Sequence, residues 1–295
     1  MEQKNAVNPS ARPATSASAA KAAAPAPSSG GASLFSVIAI IVAFVLAELI
    51  FHFVMGAGSR FKGGVNTNDP LPGDYLATMY KGGVIVPFLI TMFLCVIIFS
   101  VERALTISKA KGNKSIESFV RSVRQKLNVN DINGALAICD QQKGSVANVV
   151  RAGLKKYQEM GAEHTMNTDQ RVLAIQKEIE ESTALELPML EKNLVIVSTL
   201  ASVATLVGLL GTVFGMIKAF AALAQAGNPD ATALASGISE ALINTALGIG
   251  TSAMAIIAYN FFTSKIDELT YSIDEAGFSI IQTFAAQHGS KGQES

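Results

Sequence analysis

Residues 206–220, LVGLLGTVFGMIKAF, and residues 237–260, GISEALINTALGIGTSAMAIIAYN, decide the fold of this chain. Both are long apolar runs in which glycine, alanine, serine and threonine stand where leucine and valine would dominate in a simple lipid anchor. Small residues let membrane helices approach closely. The two runs, separated by AQAGNPDAT at residues 224–232, therefore predict a tightly packed hairpin of transmembrane helices.

The composition extends this interpretation to the whole chain. Of its 295 residues 49% are hydrophobic and 16% charged, with a mean hydropathy of +0.36, whereas soluble domains carry about 25% charged residues. Four apolar runs reach the roughly 20 residues that cross the hydrocarbon of a bilayer. We expect an all-α, polytopic membrane protein of four transmembrane helices, with a large helical cytoplasmic region. The zero net charge gives no support for a nucleic-acid partner.

The distribution of charge predicts the topology. Lys and Arg concentrate between residues 102 and 193, which places that segment in the cytoplasm. The linker before the last span lacks Lys and Arg and carries Asp230, as a periplasmic loop would. We expect a multi-pass protein of the bacterial inner membrane with both termini cytoplasmic. The predicted divisions are a disordered Ala/Pro/Ser-rich tail (1–32), an extra transmembrane helix (33–55), a periplasmic loop (56–82), a transmembrane helix (83–101), the cytoplasmic helical region (102–193), a transmembrane helix (194–222), a periplasmic loop (223–233), a transmembrane helix (234–263) and a cytoplasmic tail (264–295).

Glycine spacing defines the predicted packing face of the hairpin. Gly208, Gly211 and Gly215 recur at intervals of three and four residues, so they share one side of a helix. Gly248 lies on the corresponding polar and small-residue stripe of the fourth span. These four glycines are the predicted helix-packing residues.

Depth counting brings two threonines to one level. Thr212 lies about ten residues before the outer end of the third span and Thr245 about ten after the outer start of the fourth, so both are about 15 Å below the rim at about 1.5 Å per residue. Paired hydroxyls could line a hydrated or proton-relaying constriction. Alternatively, each hydroxyl bonds the carbonyl one turn back in its own helix. Both readings stay open.

Four ionisable residues accompany the spans. Glu240 is the only carboxylate in the spans of the hairpin and is either a proton-binding group or a solvated interfacial one. Lys218 is expected to extend to the headgroups. Glu48 and His52, four residues apart near the rim of the first span, could share a proton.

Motifs of enzymes and of metal sites are missing from the sequence. It has no GxxxxGK[ST] phosphate loop, no local Ser/His/Asp arrangement and no metal-ligand spacing of Cys or His. The two cysteines, Cys95 and Cys139, are expected to be packing residues. We therefore predict no enzymatic activity, no catalytic residues, no cofactor and no bound metal.

GLLGTVFGM (208–216) together with GISEALINTA (237–246) resembles the paired channel-helix signatures of the MotA/TolQ/ExbB proton-channel family, with ExbB and TolQ the most similar branches. DINGALAICD (131–140) and LEKNLVIVSTLASVA (190–204) resemble the same family, and the likeness covers roughly residues 80–265. Three departures are GIGTSAMAIIAYN (248–260), which lacks the family's proline, Val203-Ala204-Thr205 where the family usually has Ala-Pro, and the extra N-terminal span.

The resemblance implies a function. It implies a homo-oligomer, typically a pentamer, around a dimeric single-span partner of the ExbD/TolR type that supplies a proton-carrying Asp. It places Thr212 and Thr245 facing that Asp, with Glu240 on the same polar surface. Proton flow would then drive a TonB-like protein that energises outer-membrane import. A TolQ-like role in envelope integrity, a non-conducting scaffold, a flagellar-type stator and transport of sodium instead of protons are the alternatives.

Overall fold

A computed structural model describes residues 30–224 and 230–289, and across these ranges the chain forms helices and turns with no strand. The predicted all-α class is confirmed, and in the described part of the chain four helices are long and apolar enough to cross a membrane. Most of the tail predicted for residues 1–32 and part of the loop predicted for 223–233 lie outside the described residues. The helices are α1 (Gly30–Leu49), α2 (Tyr75–Tyr80), α3 (Ile85–Lys111), α4 (Ile116–Asn128), α5 (Ile132–Gln142), α6 (Gly144–Ala162), α7 (Thr168–Glu191), α8 (Leu194–Leu223) and α9 (Ala231–Gly289).

The membrane part is built around α8 and α9, which pack along each other, with α3 against both and α1 against α3. The extra N-terminal helix uses a face of small residues for its contact. Ala39, Ala43 and Ala47 are buried, whereas the neighbouring leucine, isoleucine and valine side chains are exposed. Since the buried alanines recur every four residues, they form one stripe, and the exposed apolar side chains suit a lipid environment.

A π-helical segment, Ile50–Met55, continues α1 and leads into the connection to α3. Part of this connection is folded against itself: Arg60 forms an ion pair with Asp74 at 2.9 Å, and Asp74 also caps α2 by accepting from the Ala77 amide. The connection ends with Gly82, Gly83 and Val84, and α3 follows.

The helical region forms a second core outside the apolar spans. Helices α4 to α7 and the C-terminal part of α9 bury a shared cluster of apolar side chains. The 59-residue α9 is continuous from the hairpin into this bundle. The boundary predicted at residue 263 has no break in the backbone, and the level of the membrane surface there remains a prediction. The largest fully buried side chains of this core are Phe119, Leu127, Leu154, Ile175, Ile273, Ile280 and Phe284.

A polar junction joins the two parts where α7 gives way to α8. Arg103 is only 3% exposed and donates to the Leu190 carbonyl oxygen at 2.9 Å. Glu102 pairs with Arg103 and accepts from Asn193 Nδ2 at 2.9 Å. Ser36 of α1 donates to Asn193 Oδ1 at 3.2 Å. A buried guanidinium needs such partners, so this network ties α1, α3 and the α7–α8 break together.

Candidate functional site

The hairpin of α8 and α9 is held by contact between the two backbones. A methyl group added at Gly248 would come within 2.7 Å of the Ala204 carbonyl oxygen and 2.8 Å of Gly208 Cα. One added at Gly215 would come within 2.7 Å of the Ala241 amide nitrogen. The structure thus places the glycines with predicted packing roles at the α8–α9 contact, where side chains would separate the helices.

Gly211 makes room for a polar side chain of α9. A methyl group there would collide with Asn244, which is 1% exposed. Asn244 Nδ2 donates to the Gly82 carbonyl oxygen at 2.9 Å, and its Oδ1 has no hydrogen-bond partner within the described residues. Asn244 thus links the hairpin to the turn that precedes α3.

Thr212 and Thr245 follow Gly211 and Asn244 directly in the sequence, and their hydroxyl oxygens are in direct contact. Both residues are partly buried. Each hydroxyl also lies near the carbonyl oxygen one turn back in its own helix, at 3.3 Å from Gly208 for Thr212 and 3.2 Å from Ala241 for Thr245. Both arrangements considered from the sequence are therefore present: the two hydroxyls are paired, and each also lies near a backbone carbonyl oxygen of its own helix.

This geometry gives the threonine pair two hydrogen-bond orientations. A hydroxyl has one proton to donate. If Thr212 donates to Thr245, then Thr245 donates to the Ala241 carbonyl; in the reverse orientation Thr245 donates to Thr212, which donates to Gly208. The two orientations use the same heavy-atom positions, so the pair can reverse its polarity without moving a helix. Such a reversible hydroxyl pair is suited to passing a proton along a narrow polar path.

Polar residues continue along the same side of the hairpin at intervals of seven, which is about two helical turns. Ser252 donates from Oγ to the Ala201 carbonyl oxygen. Beyond it, where α8 and α9 approach the helical bundle, lies a cavity of about 280 Å³. The polar residues that line the cavity are Glu191, Ser198, Thr199, Tyr259, Thr263 and Asp267.

The sequence interpretation did not single out this inner cavity. The sequence pattern that could have indicated the cavity is a repeat of polar residues every seven positions, which becomes apparent when α8 and α9 are placed antiparallel. The repeat consists of Ser198, Thr205 and Thr212 on α8 and of Thr245, Ser252 and Tyr259 on α9.

At the opposite end of the hairpin, near the 224–230 connection, Glu240 is buried and paired. Its Oε2 lies 2.7 Å from Lys218 Nζ; the Glu240 side chain is 10% exposed and that of Lys218 67%. Lys218 was expected to extend to the headgroups, and the structure directs its ammonium group to Glu240 instead. Glu48 and His52 are 3.4 Å apart and belong to the N-terminal helix and its π-helical extension, not to the hairpin.

Comparison with known proteins finds a similarity to a family of membrane channels. The family model described as the MotA/TolQ/ExbB proton channel family matches residues 141–275, a range that includes α8 and the hairpin part of α9. The resemblance predicted from the sequence is confirmed for residues 141–275, which are similar to this family.

Individual relatives share modest identity. The Tol-Pal system protein TolQ of Pseudomonas aeruginosa is 32% identical over 124 residues, which is 42% of this chain and 54% of that protein. TolQ of Haemophilus influenzae is 37% identical over 97 residues, 33% of this chain and 39% of that protein. The biopolymer transport protein ExbB of Neisseria gonorrhoeae is 26% identical over 196 residues, 64% of this chain and 88% of that protein. The match thus spans about half or less of the two TolQ proteins and most of this ExbB.

Proposed function

We propose that this chain is a proton-conducting subunit of an ExbB-like motor complex in the bacterial inner membrane. The observation that carries the proposal is the contact between the Thr212 and Thr245 hydroxyls in a hairpin whose backbones touch on either side of it. Glycine packing brings the two backbones together around this level, and the hydroxyl pair offers polar groups to an ion there. Thr212, Thr245 and Glu240 line the proposed proton pathway.

The acceptor of the proton belongs to a partner in this proposal. Thr212 and Thr245 are hydroxyls, which relay protons but do not store one near neutral pH. A single-span partner of the ExbD/TolR type, with an Asp in its membrane helix, would take up and release the proton beside them. Copies of this chain, five in the proposed assembly, surround the partner dimer, and proton entry drives its motion to energise a TonB-like protein for outer-membrane import.

The proposed orientation of the chain follows from its charges. The basic helical region faces the cytoplasm with both termini, and the 224–230 connection faces the periplasm. Glu240 and Lys218 then stand at the periplasmic end of the path, and the cavity near Glu191 and Asp267 stands at the cytoplasmic end. A proton entering from the periplasm passes the threonine pair about midway.

Proton flux into proteoliposomes tests the proposal. We would co-reconstitute the chain with its Asp-bearing partner and compare Thr212→Val and Thr245→Val with the wild type. Valine keeps the shape of threonine and removes the hydroxyl, so flux should fall to background while the complex still assembles. Thr212→Ser, which keeps the hydroxyl, should retain most of the flux.

A matched control removes a hydroxyl elsewhere in the membrane part. Thr91 of α3 donates to the Pro87 carbonyl oxygen at 2.7 Å within its own helix, so Thr91→Val should conduct normally. Wild-type flux in both Thr212→Val and Thr245→Val would refute the proton pathway. Absence of flux in every variant and in the wild type would instead favour a non-conducting scaffold.

A TolQ-like role in envelope integrity is the second candidate, because the relatives at 32% and 37% identity are TolQ proteins. The two roles predict different cellular defects when proton conduction is lost. In the source bacterium, Thr212→Val should abolish energised outer-membrane uptake if the chain is ExbB-like. Detergent sensitivity with normal uptake would assign the TolQ-like role.

A further inference from the structure

The Lys218–Glu240 ion pair lies at the end of the hairpin near residues 224 and 230, and its two side chains differ in burial. Glu240 is almost enclosed, whereas Lys218 reaches it from an exposed position on α8. A carboxylate at 10% exposure is costly unless a cation or hydrogen-bond donors neutralise it. Lys218 Nζ, at 2.7 Å from Oε2, supplies that positive charge.

The turn before α3 closes the other side of the Glu240 carboxylate. Gly83 has φ of +76°, and a methyl group there would collide with Glu240 Oε1. No side chain fits at this position, both because of the backbone conformation and because the carboxylate fills the space. Glu240 is therefore held between Lys218 and the Gly82–Gly83 turn.

Asn244 adds a second oxygen one helical turn further along the same face. Its Nδ2 donates to the Gly82 carbonyl oxygen, and its Oδ1 is buried without a partner within the described residues. Glu240 and Asn244 are separated by four residues, so their side chains share one face of α9. A carboxylate and an amide oxygen are the ligand types that hard cations use, and here the Lys218 ammonium group contacts the carboxylate of Glu240.

We propose that Lys218 is a specificity-determining residue, a tethered cation that occupies the place beside Glu240 and thereby prevents Na⁺ from binding at this end of the path. The inference rests on the proposed conducting function, which it deepens by assigning the preference for protons over Na⁺. An ammonium fixed to α8 fills the position beside the carboxylate that Na⁺ would need, and it cannot be exchanged by mass action. Protons are then preferred over Na⁺ for two reasons: Lys218 blocks the position of the ion, and the charge of the Glu240 carboxylate is already neutralised.

The test replaces the tethered cation with a neutral side chain and asks whether Na⁺ takes its place. Full-length wild type, Lys218→Met, Lys218→Arg and Lys218→Met/Glu240→Gln would be purified in detergent. Unfolding temperatures would be compared in NaCl and in choline chloride at equal ionic strength. Lys218 is exposed, so methionine leaves no cavity, and the double variant removes both charges in case the single variant folds poorly.

Na⁺ should raise the unfolding temperature of Lys218→Met, by about 3 °C or more at saturation, because a ligand that binds only the folded state stabilises it. Wild type and Lys218→Arg should show no difference between the salts, and the double variant should lose the response. An unfolding temperature of Lys218→Met that is the same in both salts would overturn the inference. So would a response to Na⁺ that persists in the double variant. If the single variant cannot be purified, addition of Na⁺ during its purification should rescue the folded yield, and failure of that rescue would also count against the inference.

The same variants can be measured for proton flux with the partner present. Wild-type flux should be equal in NaCl and choline chloride, whereas Na⁺ should inhibit flux through Lys218→Met. The unfolding experiment needs no conduction, so it decides the inference even if the threonine variants show that the proposed function is wrong. Conversely, loss of flux in Thr212→Val together with no Na⁺ response in Lys218→Met would retain the proposed function and reject the role of Lys218.

Discussion

Replacing Gly248 and Gly250 by alanine, one at a time, compares two positions on the same helix that differ in their surroundings. A methyl group at Gly248 would meet the Ala204 carbonyl oxygen at 2.7 Å and Gly208 Cα at 2.8 Å. Both obstacles are backbone atoms that cannot rotate away. At Gly250 nothing lies within 4 Å of the added carbon. The pair therefore isolates the cost of separating α8 from α9.

The magnitude follows from two terms. Glycine to alanine in a helix interior favours the helix by about 0.8–1.0 kcal/mol, and this gain is common to both variants. Overpacking a tight contact costs about 1–3 kcal/mol, and only Gly248→Ala carries this cost. We expect Gly248→Ala to be less stable than Gly250→Ala by about 1–3 kcal/mol, toward the upper end because the contact is between backbones.

Reversible unfolding in mixed detergent and SDS, followed by circular dichroism, measures this difference. The threonine contact depends on the same helix spacing, so Gly248→Ala should also lower proton flux, whereas Gly250→Ala should not. Equal stabilities of the two alanine variants would refute the close backbone contact at Gly248. Lower flux in Gly250→Ala alone would contradict the assignment of the conducting face.

Three further predictions concern the region outside the apolar spans. Burial raises the pKa of Cys139 to about 12, so N-ethylmaleimide at pH 7.5 should not modify this thiol until the protein is unfolded, as mass spectrometry of the labelled peptide would show. The hydrogen bond from Lys126 lowers the pKa of Asp131 below its ordinary value of 3.8; its stabilising contribution is complete above that pH and is lost as the pH falls through the lowered value, so the drop in unfolding temperature of Asp131→Ala should be constant from pH 8 to pH 5. Asn193→Ala removes the donor that lies 2.9 Å from Glu102 and should lower the unfolding temperature and increase proteolysis at the α7–α8 break.

Much of the α8–α9 hairpin could be predicted because it depends on local periodicity. The small residues of spans three and four select close packing, and counting from the ends of the spans places Thr212 and Thr245 at one depth. The structure brings these two hydroxyls into contact. Depth counting works here because both helices are regular and the connection between them is short.

The partner of Glu240 could not be obtained in that way. Lys218 and Glu240 lie 22 residues apart on different helices, and a lysine near the end of a span has an equally good partner in the headgroups. Which of the two it meets depends on the rotation of α8 about its axis. Gly83 also needed the structure, because a glycine in a loop does not reveal that it faces a carboxylate more than 150 residues away.

The sequence by itself determined the all-α membrane class, the four spans, the glycine face and the matched depth of the two threonines, because hydropathy and helical periodicity act over neighbouring residues. The tertiary structure decided that Lys218 neutralises Glu240, that the Gly82–Gly83 turn closes over it, and that Asn193 joins α1 to α3 and α8. These contacts join helices that are distant along the chain. Their existence depends on helix rotation and side-chain direction, which the pattern of apolar residues constrains only to a face and not to a partner.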